Sequence, residues 1–202
     1  GIFDKSLFHC ADEPDGEAQI EDYRKARELL RQVAPWMKVM DALSDTKLAT
    51  QKLVENPIPS ILTAANFKAI NLDTWVYFCC GPREGYLQRL MDTPLSKIRM
   101  CGLLFYKLGA TGFLHWGYCY WFKFCTSDIS NPFVCPDITY WPEIPIGDPF
   151  VVYPGDDGPL DSIRWENFAE GLQDYALLQS ANINPDDPLL AEAGSPDAII
   201  AG

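Results

Sequence analysis

Two consecutive acidic residues, Asp12 and Glu13, follow an apolar run in the segment LFHCADEP. Neighbouring side chains in an extended strand point to opposite faces, so adjacent carboxylates can share a site only where the strand ends and turns. Pro14 and Gly16 predict that turn directly after the pair. Hydrolysis of a glycosidic bond needs such a pair, because one group protonates the leaving oxygen and the other stabilises the developing cation.

The surroundings of the acidic pair decide between two interpretations. In a partly buried cleft, repulsion and desolvation would keep one of the two carboxyl groups protonated near neutral pH, as a general acid requires. On an open surface, an acidic pair before a proline is typical of a helix cap or a solvated turn. The tripeptide DEP alone does not decide between them.

Polar and aromatic residues also stand along or after the other predicted strands. Sugar rings stack their C–H faces on tryptophan and tyrosine, and their hydroxyls need polar partners, so this mixture favours a carbohydrate over a phosphate. The strand-end residues, with those of the acidic pair, are His9, Asp12, Glu13, Asp41, Asn66, Tyr77, His115, Trp116, Tyr118, Tyr120 and Trp121.

The charge of the chain excludes some partners. A net charge of −12 over 202 residues would repel a nucleic acid or an anionic membrane. The sequence has no apolar run long enough to span a bilayer and no signal peptide at its start, so we expect a cytoplasmic protein. The seven cysteines stand mostly in apolar runs without paired CxxC motifs, which indicates buried thiols and neither a metal nor a cofactor.

Apolar runs alternate with helical patterns along most of the chain, which predicts an α/β fold with a parallel sheet covered by helices. The predicted strands are SLFHCA, WMKVMDAL, IPSILTAA, DTWVYFCC and GFLHWGYCYW. The predicted helices are AQIEDYRKARELLRQVAP, DTKLATQKLVEN, PLSKIRMCGLLFYKLG and SIRWENFAEGLQDYALLQ, the last capped by Asp161.

About five parallel strands are too few for a closed (β/α)8 barrel, which is about 250 residues long. Residues 1–180 are therefore predicted to be the C-terminal half of such a TIM-like barrel. We expect the missing N-terminal half of the same domain, or another copy, to cover the open sheet edges. Residues 122–159 are predicted to be a functional loop or a cover over the site, and residues 181–202 an acidic, proline-containing tail.

Several segments together resemble glycoside hydrolase family 123 and its uncharacterised relatives. They are ADEPD, DTWVYFCCGP, KIRMCGLLFYKLG, GATGFLHWGYCYW and VVYPGDDGPLDSIRWENFAEGLQDYALL. The resemblance covers most of residues 7–180. It implies an (α/β)8 catalytic domain and a retaining exo-β-N-acetylhexosaminidase, with N-acetylgalactosamine as the favoured sugar.

The resemblance also implies substrate-assisted catalysis, in which the 2-acetamido oxygen of the sugar attacks the anomeric carbon. On this chain, Asp12 would orient the acetamido group, while Glu13 would protonate the leaving oxygen and later activate water. Trp116 is predicted as the sugar platform and Tyr77 as the acetamido contact. The further substrate-binding residues are predicted to be Trp121, Tyr118 and Asn66.

Two other functions stay open at this stage: a glycosidase that acts on a different sugar, and a catalytically silent barrel that binds carbohydrate. The alternating aromatics between residues 116 and 121 could partly fill the barrel core instead of binding a sugar. Residues with predicted structural roles are His115, Arg164, Glu170 and Asp174, and the turn formers Asp156 and Asp157.

Overall fold

A computed structural model describes residues 1–83, 86–135, 137, 144–188 and 190. Most of the predicted acidic tail, and part of the predicted cover at 122–159, lie outside these residues. The chain divides into two compact units. The first contains residues 1–77 and 109–114, and the second contains residues 78–108 and 115–202.

The first unit consists of short strands that alternate with helices. After a 3-10 turn at Phe3–Lys5, its elements are β1 (Leu7–Phe8), α1 (Gly16–Val33), β2 (Lys38–Ala42), α2 (Thr46–Thr50), β3 (Asn56–Ile58), α3 (Ala64–Ala69), β4 (Trp75–Tyr77) and β5 (Gly112–Leu114). The second unit contains α4 (Leu95–Leu108), β6 (Val152–Gly155), β7 (Gly158–Asp161) and α5 (Ile163–Ser180).

All five strands of the first unit pair in parallel, which confirms the predicted α/β class. The strands β1, β2 and β3 form one sheet in that order, and β4 pairs with β5 in another. An isolated parallel bridge between Ser60 and Tyr77 continues the pairing from β3 to β4. Within the described residues these sheets are small and do not close into a barrel.

The core of the first unit lies between α1, the sheet and the following loops. Ile20 and Tyr23 on α1 pack with apolar residues of the strands, including the fully buried Val39. Arg27, on the same helix face, is 1% exposed and forms an ion pair with Glu55 at 2.6 Å. Its guanidinium also donates to the carbonyl of Leu53, and these contacts offset part of the cost of burying the charge.

All five observed parallel strands are shorter than the apolar runs that predicted them, and two of the runs depart most. The run IPSILTAA leaves the strand at Ile58, because the carbonyl of Ser60 accepts the N–H groups of Thr63 and Ala64 and starts α3 instead. The run GFLHWGYCYW leaves the strand after Leu114. Beyond it, a Cβ added at Gly117 would lie 2.5 Å from the carbonyl oxygen of Pro149, so the chain crosses another backbone closely there.

The helices α4 and α5 of the second unit pack through two glycines. A Cβ added at Gly102 would lie 1.8 Å from the carbonyl oxygen of Gly171, so neither position can carry a side chain at this separation. Arg99 on α4 joins Glu170 and Asp174 on α5, as predicted for residues with a structural role. The hydrogen bond from Arg99 lowers the pKa of Asp174.

The hairpin β6–β7 was not predicted as a pair of strands, but its turn was. Val152 pairs with Asp161 and Gly155 with Gly158, so Asp156 and Asp157 form the predicted turn. The prediction that Asp161 caps the last helix is wrong. Asp161 belongs to β7, and the N-cap is Ser162, whose hydroxyl accepts the N–H of Trp165 at 3.2 Å.

None of the seven cysteines forms a disulfide bond. Cys101 is buried on α4, and desolvation raises its pKa to about 12. Cys10, Cys79 and Cys80, which were also predicted to be buried, are partly exposed. The prediction of burial is wrong for Cys119, which is exposed because it lies in the irregular segment beyond β5.

Candidate active site

The predicted acidic pair lies in the turn between β1 and α1. Asp12 and Glu13 form this turn, Pro14 is buried beneath it, and the side chain of Asp15 caps α1. Glu13 adopts φ +43°, in the left-handed region that glycine accepts more readily. Its N–H donates to the carbonyl of Ala42 at 3.1 Å, which ties the turn to the end of β2.

The acidic side chains themselves are exposed. Asp12 and Glu13 do not occupy the partly buried cleft that the sequence analysis considered, since each has an accessible side chain in this chain. The carboxylate of Glu13 nevertheless has a defined partner. Both residues of the acidic pair are thus accessible to solvent at the end of β1.

Tyr77 is the defined partner of Glu13. It is the last residue of β4, is half-buried, and donates its phenolic hydroxyl to Glu13 Oε1. The backbone of Tyr77 is fixed by hydrogen bonds with Pro59 and Ile61. Because parallel strands end at the same edge, a residue that closes β4 can reach the turn after β1. Two of the predicted site residues are thus in contact.

Asp41 is a buried carboxylate next to the acidic turn. It lies in β2 and is 0% exposed. Its Oδ1 accepts the backbone N–H groups of Cys10 at 2.9 Å and Ala11 at 3.3 Å, and lies 2.6 Å from His9 Nδ1. Its Oδ2 accepts the hydroxyl of Tyr23 at 2.6 Å. From the sequence, Asp41 was predicted at a strand end but not in the site, although an acid inside the apolar run KVMDAL was a signal.

The environment of Asp41 changes the titration of its neighbours. Burial and the hydrogen bond to Asp41 raise the pKa of Tyr23, which therefore stays protonated and keeps donating. Burial, and to a smaller degree the negative charge of Asp41, also raises the pKa of the Cys10 thiol. The thiol beside the acidic turn is therefore a poor nucleophile.

Asn66 lines a depression on the surface of the first unit. It is exposed on α3 and lines an open depression of about 440 Å³. The other lining residues are Asp15, Ser44, Asp45 and Thr46, so neither Asp12 nor Glu13 belongs to this depression.

The remaining predicted binding residues belong to the second unit. Trp116 is 43% exposed and donates its indole Nε1–H to Asp148 Oδ2 at 2.6 Å. Tyr118, also 43% exposed, packs edge-on against Trp165. The indole of Trp121 is half-buried and donates to the carbonyl of Val152 at 3.1 Å. Trp116 and Tyr118 expose aromatic surface, whereas much of Trp121 is packed.

Asp148 and His115 hold the indole of Trp116 in place. Asp148 is 1% exposed, and its Oδ1 lies 3.2 Å from Nε2 of His115, whose side chain is 4% exposed. Burial lowers the pKa of His115, and the hydrogen bond to Asp148 only partly opposes this effect. His115 therefore has the structural role that was predicted for it, and the sequence analysis missed Asp148.

Arg164 has a structural role as well. Its guanidinium is 5% exposed and donates to the carbonyl oxygens of Arg89, Gly147 and Phe150. Burial lowers the pKa of Arg164. Across the described part of the chain, no group of three or more His, Cys, Asp or Glu side chains could hold a metal ion.

Comparisons with known proteins place this geometry in a family. The chain is similar to a solved family 123 glycoside hydrolase from Clostridium perfringens, studied for the details of glycolipid glycan hydrolysis. The two share 17% identity with a TM-score of 0.63, over 93% of this chain and 32% of that chain. This chain thus spans about a third of that protein, and the likeness shows the fold. None of the curated proteins matches.

In the described part of the chain, no helix has both the length and the apolar character needed to cross a membrane.

The family model for the glycoside hydrolase 123 catalytic domain matches residues 1–181, which include the acidic turn and every predicted site residue. The resemblance seen in ADEPD and SIRWENFAEGLQDY is thereby confirmed. The chain belongs to glycoside hydrolase family 123, and the matched residues are part of the catalytic domain of this family of glycosidases.

Proposed function

We propose that the whole protein is a retaining exo-β-N-acetylhexosaminidase, with β-linked N-acetylgalactosamine as its substrate. The observation that carries the proposal is the contact between Tyr77 and Glu13, because it joins the acidic turn after β1 to the end of another parallel strand. Reactive groups of parallel α/β barrels gather at these strand ends. Membership of family 123 supports the same reading.

In this proposal the chain supplies the C-terminal strands of a (β/α)8 barrel. The five parallel strands in sequential order support it, as does the likeness to a longer family 123 structure. β1 exposes Leu7 and Phe8, and among the described residues it pairs with β2 alone. The missing half of the domain, or another copy of the chain, would cover such an edge.

Asp12 and Glu13 divide the chemistry in the proposed mechanism. The carboxylate of Asp12 orients the 2-acetamido group of the sugar. It also stabilises the positive charge that develops on this group when the acetamido oxygen attacks the anomeric carbon. Glu13 donates a proton to the leaving oxygen and then takes a proton from the water that opens the oxazolinium ring. The bond to Tyr77 holds the Glu13 side chain in one direction.

The sugar-binding roles rest on the exposed aromatic surface. Trp116 presents its indole face while Asp148 fixes the edge, which suits stacking on the apolar face of a sugar ring. Tyr77 is proposed to contact the acetamido group, and Tyr118, Trp121 and Asn66 to make further contacts with the substrate.

Substrates with different leaving groups distinguish the roles of Asp12 and Glu13 when variants of the full-length protein are compared. Glu13→Gln should lower kcat/KM, which reports the step in which the leaving group departs, roughly 10²-fold to 10⁴-fold for a poor leaving group such as an alkyl alcohol. The loss should be much smaller for an activated aryl 2-acetamido-2-deoxy-β-galactoside, whose phenolate departs without a proton. Asp12→Asn should slow both substrates equally, because the acetamido oxygen displaces either leaving group as the bond to that group breaks.

Glu17→Gln is the matched control, since Glu17 is an exposed acid on the first turn of α1. It should leave both rates unchanged. Unchanged hydrolysis in Glu13→Gln with the poor leaving group would contradict the proposal. Equal turnover of an aryl β-galactoside without the acetamido group would indicate a glycosidase for another sugar. Sugar binding by calorimetry without any turnover would indicate a silent carbohydrate-binding barrel.

A further inference from the structure

We propose that Asp41 is a positioning residue that fixes the turn carrying Asp12 and Glu13. The inference rests on the proposed function, because it assigns Asp41 a part in that reaction without contact to the substrate. Its basis is that Asp41 binds the two backbone N–H groups that directly precede the acidic pair.

The pairing of β1 with β2 ends before the acidic turn begins. Only Leu7 and Phe8 pair with β2, opposite Lys38 and Val39. Beyond Phe8 the strand ladder is replaced by the Asp41 side chain, which accepts from Cys10 and Ala11 where a neighbouring strand would offer carbonyl groups. The bond from the Glu13 N–H to Ala42 completes the attachment.

Asp41 also connects this segment to the helix that follows the turn. Its second oxygen accepts the hydroxyl of Tyr23, which is 2% exposed on α1. The acidic turn leads directly into α1. One carboxylate therefore holds the chain both before and after Asp12 and Glu13, and it sets the direction in which the turn leaves the sheet.

Packing alone would favour an apolar residue over a carboxylate at position 41. Burying a carboxylate is costly, and well-packed apolar replacements of buried charges are often neutral or stabilising. An apolar residue at position 41 would leave the N–H groups of Cys10 and Ala11 without their present acceptor. A misplacement of about 1 Å in a catalytic group can cost roughly 10²-fold in rate, so this local anchor matters most for the reaction.

Asp41→Asn tests the inference with the smallest change of shape. An amide has one acceptor oxygen and one donor nitrogen, so it cannot accept both from Tyr23 and from the backbone N–H groups. In the full-length protein, well below its Tm, we expect kcat to fall roughly 10²-fold while KM changes little.

An intermediate analogue distinguishes positioning from folding. A thiazoline that mimics the oxazolinium intermediate should lose affinity for Asp41→Asn by about the same factor as kcat/KM falls. The affinity for N-acetylgalactosamine as product should stay unchanged, because it does not need the exact placement of both acids. A loss of folded protein would instead lower all signals together.

Glu55→Gln is the matched control. Glu55 accepts from the N–H of Val39 at 2.8 Å and pairs with Arg27, so it is also a carboxylate that anchors β2, but away from the acidic turn. We expect its Tm to fall and its kcat to stay at the wild-type value. If Asp41→Asn does not fold, Tyr23→Phe removes one donor to the same carboxylate and should lower kcat several-fold.

The outcomes separate the two proposals. A wild-type protein that neither turns over the substrate nor binds the thiazoline would overturn the proposed function and this inference with it. An active wild type whose kcat is kept in Asp41→Asn, or in Tyr23→Phe if the first variant does not fold, would overturn the inference alone. An equal loss of kcat in Glu55→Gln would also overturn it, because the effect would then be general to the sheet.

Discussion

The hydroxyl of Tyr77 donates a hydrogen bond to Glu13 Oε1, although the two residues are 64 positions apart in the chain. Tyr77 closes β4, and Glu13 lies in the turn after β1. The contact therefore depends on the arrangement of the parallel strands. It gives an exposed carboxylate a preferred orientation without burying it.

Removal of this hydroxyl should slow the reaction. A hydrogen bond to a charged group contributes about 1.5–3 kcal/mol, so we expect Tyr77→Phe to lower kcat/KM roughly 10-fold to 100-fold. Steady-state kinetics on a substrate with an alkyl leaving group measure the change, because departure of that group needs the proton of Glu13. The control is Tyr175→Phe on α5, which keeps the ring that packs against Tyr106 of α4. Its kcat/KM should equal that of the wild type. Equal activity of Tyr77→Phe and the wild type would contradict the prediction.

The exposed indole of Trp116 should act mainly in substrate binding. Trp116→Ala removes the proposed stacking surface in the ground state and the transition state alike, so KM should rise roughly 10-fold with little change in kcat. Trp36, 50% exposed and packed against Phe3, provides a control of similar exposure. If Trp36→Ala and Trp116→Ala raised KM equally, the assignment of a sugar platform would fail.

Burial of His115 should make folding stability depend on pH. The pKa of His115 is lowered in the folded protein, so below about pH 6.5 the unfolded chain binds the proton more readily. The contribution of neutral His115 to the free energy of unfolding is therefore fully present above about pH 6.5. It falls as the pH decreases toward the folded-state pKa, by at most about 1.4 kcal/mol per pH unit. Urea unfolding of the wild type and His115→Asn at pH 7.5, 6.5 and 5.5 measures this. Parallel curves for the two proteins would contradict it.

The glycine contact between α4 and α5 should be intolerant of a methyl group. In Gly102→Ala the new Cβ would collide with the backbone of Gly171, so the helices must separate. We expect a loss of roughly 1–3 kcal/mol, seen as a Tm lower by several degrees. Ser96→Ala on the exposed side of the same helix should change Tm little. A Tm for Gly102→Ala as high as that of Ser96→Ala would show that the helices adjust freely.

Local sequence patterns predicted the elements that local interactions form. The periodic apolar residues of α1, α4 and α5 correspond to observed helices, and four of the five apolar runs contain an observed parallel strand. The run IPSILTAA misled, because its apolar residues suit a strand while Ser60 starts a helical turn by hydrogen bonds that no periodicity reveals. The pairing of β6 with β7 was missed because proline and glycine around Asp156 and Asp157 resemble an ordinary loop.

The site was predicted less completely, because its contacts join distant segments. DEP marked the acidic turn, and the aromatic strand ends suggested Tyr77 and Trp116. Nothing in the sequence alone assigns Asp41 to the backbone of Cys10, or Asp148 to the indole of Trp116. Both aspartates are buried acids in otherwise apolar or proline-rich segments, and such acids are the signal that sequence reasoning can use.

At position 13 the backbone conformation and the proposed chemistry favour different residues, because Glu13 has a positive φ. Glycine would relax this backbone conformation, yet it would remove the proposed proton donor. A library selected only for thermal resistance should therefore enrich glycine or asparagine at position 13, and its most robust members should be inactive. Engineering that aims to raise the thermal stability of this protein must therefore keep Glu13 and introduce stabilising substitutions at other positions.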